Sequence, residues 1–200
     1  MTRRPDPGTF EHALKPVLVD LYRVFRLSTS PTTEPWFARA GAGRFDDPQG
    51  LHGTARFGVL YAADSVETAF GESVIHENTL FRRGRFELPK GAMERRQLVA
   101  FERPALPALN LVDLTGPALK GLGLNADLLS GDDYGASQEW AAAIHEAAPW
   151  ADGVRYVSRQ NPGGHCYAVF DRSGLDLGSY AALPAGLVDS LCGLFNAVRV

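Results

Sequence analysis

The sequence predicts an α+β fold, and three observations lead there. Short runs with strand character stand near both ends of the chain, at Val17–Leu27 and again at Val154–Ser158 and Cys166–Phe170. Between and after them, apolar residues recur at helical spacing over Val66–Val74, Trp140–Ala148 and Leu187–Phe195. Two hundred residues, 45% hydrophobic and 22% charged, fit one globular domain of moderate size or at most two small ones, and nothing reads as a linker between them.

Taken in order, residues 1–16 read as an N-terminal arm and 17–200 as the domain. Met1 to Gly8 is polar and Pro-rich. After Pro16 the pattern alternates, and in a strand Leu21, Arg23, Phe25 and Leu27 would share one face. That sets Arg23 among apolar neighbours, unusual for a solvated charge. Ser28 to Gly53 contains Pro31, Pro35, Gly41, Gly43, Pro48 and Gly50 and reads as a long irregular segment, more often functional than idle. Gly58–Ala62 is a short apolar strand that runs into Asp64-Ser65-Val66-Glu67, a capping box with Asp64 as cap and Glu67 reaching back.

A helix is expected over about Ser65 to Glu77, with Val66, Ala69, Phe70, Ser73 and Val74 on one stripe. Gly71 inside it costs roughly 1 kcal/mol relative to Ala, and a close approach by another group would explain it. Gln97–Phe101 and Leu109–Leu114 are further strands. Ser137 is expected to cap a helix that ends before Pro149. Gln160-Asn161-Pro162-Gly163-Gly164 joins the last two predicted strands as a hairpin, and Leu187, Val188, Leu191 and Phe195 mark a closing helix.

Composition removes several function classes. A formal net charge of −3 and a pI near 5.9 argue against a general nucleic-acid binder, while leaving room for a local basic pocket. Cys166 and Cys192 form no disulfide framework, so a reduced, soluble, cytoplasmic protein is the expectation. Arg3 and Arg4 have no apolar stretch behind them, so no secretory signal is expected, and the longest apolar runs are far too short to span a bilayer. The five histidines are scattered without a metal-ligand pattern, and no metal is expected. Gly121-x-Gly123-x-x-Ala126 fits a relaxed dinucleotide fingerprint, but no suitable strand leads into it.

A set of fragments then occurs in a recognisable order: Leu21-Tyr22-Arg23-Val24, Gly43-Arg44-Phe45, Val59-Leu60-Tyr61-Ala62, Ala69-Phe70-Gly71-Glu72, and Asp152-Gly153-Val154-Arg155-Tyr156-Val157-Ser158. Across residues 21–171 the chain resembles the RES-domain family of bacterial toxins, named for an Arg, a Glu and a Ser that match Arg23, Glu72 and Ser158 here. The resemblance implies a single domain with an ADP-ribosyltransferase-like split β-structure surrounded by helices. It also implies NAD⁺ as substrate, cleaved by hydrolysis or phosphorolysis, and a toxin held in check by an Xre-type helix-turn-helix antitoxin. Transfer of ADP-ribose to a protein target, and a nucleotide-binding module without turnover, are the alternatives. Where the family usually has Trp-Asn after the second Arg, this chain has Phe45-Asp46, which adds a negative charge beside an expected anion site.

The chemistry explains why these residue types would serve. Nicotinamide leaves as a neutral molecule, and the barrier lies in the oxocarbenium-like ribosyl cation, which a fixed carboxylate stabilises. Glu72 is the candidate for that role; a solvated helix-surface carboxylate is the plain alternative. Arg23 and Arg44 would grip the diphosphate, for which the guanidinium fork is suited. For Arg23 the alternative is an ion pair with Asp20 or Glu67, and for Arg44 an ordinary surface position. Tyr61 would present its ring to the ligand, or else be a core tyrosine. Ser158 would orient nicotinamide or ribose, or else simply end a strand; no G-x-S-x-G elbow makes it a nucleophile.

Overall fold

The five residues Val59–Ala63 are all apolar or aromatic, the mark of a strand covered on both faces. In the computed structural model, which describes residues 14–18, 21–26, 34–76, 80–94, 96–102 and 108–200, this strand lies inside an eight-stranded sheet. Its members are β1 (Leu14–Leu18), β2 (Leu21–Arg26), β3 (Val59–Ala63), β6 (Arg96–Glu102), β7 (Ala108–Leu114), β8 (Gly153–Val157), β9 (His165–Phe170) and β10 (Asp176–Ala182). Their order is β1-β7-β8-β9-β3-β2-β6-β10, antiparallel except for the β7–β8 pair. A separate sheet holds β4 (Leu80–Arg82), β5 (Arg85–Leu88) and β11 (Ala197–Arg199). The division into two sheets, with helices around them, is the split α+β architecture expected.

The helices are α1 (Val66–Phe70), α2 (Gly116–Gly121), α3 (Asp127–Ser130), α4 (Gly135–Ala147) and α5 (Ala185–Leu194), with a π turn over Gly71–Ile75 continuing α1. One face of the large sheet carries two apolar clusters. Val59, Val154, Ala168 and Phe170 pack with Trp140 and Ile144 of α4. Further along, Ala63 joins Phe70, Val74, Leu88, Val188 and Leu191, so α1, α5 and the small sheet close over the same face. The opposite face buries Leu60, Ala62, Val99, Leu111 and Val169. Burial of this kind contributes about 1.5–3 kcal/mol per large side chain. No helix among the described residues is long and apolar enough to cross a membrane.

Several details differ from the sequence reading. The expected strand over Val17–Leu27 is two strands with different neighbours, β1 on β7 and β2 between β3 and β6. β1 also takes in Leu14 to Pro16, the last residues of the expected arm; Pro16 is tolerated because β1 is an edge strand. Helix α1 is capped by Ser65, whose Oγ accepts from Thr68 N, and not by Asp64. Asp64 is drawn off to β9, where its Oδ2 accepts from His165 N at 2.9 Å. Helix α4 begins two residues before Ser137, whose Oγ donates to Tyr134 O at 2.9 Å.

Candidate active site

Tyr61 of β3 and Tyr156 of β8 border the first apolar cluster, β8 leads on into Ser158, and two walls of polar residues are built around them. The first is built on α1. Ala69, Phe70, Val74 and Ile75 face the core, which turns the half-buried Glu72 the other way, towards the β8–β9 turn. A single oxygen of Glu72, Oε1, accepts from Ser158 Oγ at 2.6 Å, Arg159 N at 2.9 Å and Gln160 N at 3.2 Å. Ser158, 1% exposed, also accepts from Asn161 N at 2.9 Å, so its hydroxyl ties the turn to the carboxylate. Hydrogen bonds to a charged group contribute about 1.5–3 kcal/mol each. No partner engages Oε2 among the described residues.

Gly71 permits this contact. A Cβ there would lie 3.1 Å from Phe195 Cζ and 3.3 Å from Gln160 Cβ, the close approach that a glycine inside the helix implied. Nearby, burial, then the Glu72 charge, pushes the Cys166 thiol pKa far up. Burial likewise holds the Tyr156 phenol protonated.

The second wall is the irregular segment before β3. Arg44 is 7% exposed, its guanidinium lies 4.5 Å from the centre of the Tyr134 ring, and its Nη1 is buried without a hydrogen-bond partner. A cation over a desolvated ring gains about 2 kcal/mol, but the ring satisfies no N–H donor. The loop is locked from three sides. Tyr61 Oη accepts from Phe45 N at 2.8 Å and donates to Asp46 Oδ1 at 2.8 Å. Asp46 Oδ2 accepts from Gly43 N at 2.8 Å. Gln138 Nε2, from α4, donates to Gly41 O at 2.8 Å and Gly43 O at 2.9 Å. Gly43 is required because a Cβ would stand 2.5 Å from Tyr61 Oη and 2.6 Å from Asp46 Oδ1. The Asp46 charge, which the sequence set beside the anion site, is therefore directed at the loop backbone and the Tyr61 hydroxyl.

The structure thus brings Glu72 to Ser158, and Tyr61 to the loop that carries Arg44; Phe45 of that loop lies ring to ring 4.8 Å from Tyr156. Arg23 pairs in the backbone register with Val99 of β6; its side chain lies outside the described residues. Tyr134, Gln138 and Arg159 escaped the sequence reading. Only a polar Gln138 on the inner side of an otherwise apolar helix offered a signal. Among the described residues no group of three or more His, Cys, Asp or Glu stands where it could hold a metal.

The described residues thus offer a half-buried carboxylate held by three donors and a buried arginine with an open donor, within an α+β fold. The chain belongs to the RES domain family, whose model matches residues 20–185. Among solved structures it is similar to a chain from the M. tuberculosis MbcT-MbcA toxin-antitoxin complex, at 19% identity and a TM-score of 0.65, covering 94% of this chain and 96% of that one. Comparison with the curated proteins returns no match.

Proposed function

We propose that this protein cleaves the nicotinamide–ribose bond of NAD⁺ and acts as the toxin of a toxin–antitoxin pair in the cytoplasm. The observation that carries this reading is the held carboxylate: among the described residues Glu72 is fixed through Oε1, and Oε2 would face the developing ribosyl cation. Arg44, with a buried donor in search of an acceptor, suits the diphosphate. Ser158 acts as a positioning residue through Glu72, and Tyr61 as a positioning residue through the Arg44 loop. Nicotinamide departs neutral, the ribosyl C1 takes an oxygen of water or phosphate, and a water nucleophile gives up its proton. An antitoxin would cover the cleft, a reading supported by the complex from which the similar chain comes.

The test is nicotinamide release from NAD⁺ by the purified protein, with and without phosphate, beside Glu72→Ala. Release by the wild type alone supports the reading, and its phosphate dependence tells phosphorolysis from hydrolysis. If NAD⁺ persists while a candidate protein gains the mass of ADP-ribose, the reaction is transfer. If it persists with no transfer, cleavage is refuted.

A further inference from the structure

Arg159 touches both walls at once. Its backbone N–H donates to Glu72 Oε1 at 2.9 Å. Its guanidinium Nη1 donates to Asp132 Oδ1 at 3.0 Å and lies 3.5 Å from Gly131 O. Those residues stand just before Tyr134, the ring on which Arg44 rests. The two acids of that segment are employed differently. Asp133 Oδ1 accepts from Gly135 N at 2.9 Å and shapes the entry to α4. Asp132 is 92% exposed at its side chain, and Arg159 is its one ion-pair partner among the described residues.

An ion pair so open to water contributes little and exchanges readily. A diphosphate brings two negative charges; Arg23 and Arg44 are the partners the family resemblance implies, and among the described residues Arg44 is the one arginine with a buried open donor. We propose that Arg159 is a further anion-binding residue of the cleft, one that exchanges Asp132 for the diphosphate of the ligand. The fork of an arginine suits two phosphate oxygens as it suits a carboxylate. Because the backbone N–H of the same residue holds Glu72, ligand capture adds an anchor to the turn that positions the carboxylate. Asp132 competes with the ligand for this guanidinium, so its removal strengthens binding. The inference rests on the NAD⁺ reading and assigns that site a residue and a built-in competitor.

Isothermal titration of ADP-ribose and of inorganic pyrophosphate into the wild type, Arg159→Ala, Asp132→Asn and the double variant tests it. Arg159→Ala is expected to weaken ADP-ribose binding about tenfold, equivalent to about 1.4 kcal/mol. Asp132→Asn is expected to tighten it about threefold, and the double variant to behave as Arg159→Ala. In turnover, the loss in Arg159→Ala falls on KM rather than kcat. Wild-type affinity in Arg159→Ala overturns the inference and leaves the NAD⁺ reading standing. So does a loss in Asp132→Asn equal to that in Arg159→Ala, which reduces the pair to a strap between the walls. A wild type that binds neither ADP-ribose nor pyrophosphate removes both.

Discussion

The Glu72 wall and the Arg44 wall solve opposite problems with the same materials. On the Glu72 wall the charge is acidic and the donors are in excess: one hydroxyl and two backbone N–H groups converge on a single oxygen. On the Arg44 wall the charge is basic, and the polar groups around it are spent on one another. Asp46, Tyr61, Gly43 and Gln138 close a network that holds the loop while leaving Arg44 Nη1 buried and unpartnered. Leaving a buried donor unmatched costs about 1–3 kcal/mol, more when it is charged. One wall is therefore complete without a ligand and the other is incomplete. This is the division of labour expected if Glu72 serves the chemical step and Arg44 serves binding.

Substitutions sharpen that contrast. Glu72→Gln keeps the size and much of the hydrogen bonding but removes the charge. Nicotinamide release should fall by about 10²–10³-fold if Glu72 supplies electrostatic stabilisation, with a smaller loss of stability as three charge-assisted hydrogen bonds become neutral ones. Arg44→Lys keeps the charge and loses the fork. KM for NAD⁺ should rise about tenfold or more while kcat changes less, as read from initial rates. Ser158→Ala leaves Glu72 two backbone donors, so a loss of about tenfold in kcat is expected, with about 1–2 kcal/mol of stability lost in denaturant titration. Gly71→Ala would press on Phe195 and Gln160. It is expected to lower activity more than stability, because Gln160 belongs to the turn that holds Glu72.

The smallest effect concerns pH. His145 is stacked on Phe57 at 4.3 Å between ring centres, and burial, then the Arg172 charge, holds its pKa below the usual 6.5. The unfolded chain therefore binds the proton more readily than the folded one. The contribution is fully present above pH 6.5 and is lost as pH falls from there through the lowered folded value. Urea midpoints should decline over that window in the wild type and flatten in His145→Phe. An equal decline in both would assign the effect to other groups.

Much of the scaffold of the first wall was legible because its signals are local. The run into α1, the glycine at position 71 and the turn after Ser158 each announce themselves within a few residues. The contact of Ser158 with Glu72 spans 86 positions and entered only through the family resemblance. The second wall was harder to read. Nothing in a Gly-rich segment says that Tyr134 and Gln138, some ninety residues later, will hold it. The cap at Ser65 was misplaced because the competitor for Asp64 is His165, on a distant strand. Strand β10 was missed because an edge strand of small, largely exposed residues carries no alternation to detect.

The measurement that tests the division of labour most directly is a titration of NAD⁺ into Glu72→Gln, followed by chromatography of the same sample after several hours. The account predicts binding at close to the wild type's affinity for ADP-ribose, with the NAD⁺ recovered intact. Nicotinamide released at the wild-type rate, or no binding at all, would contradict it.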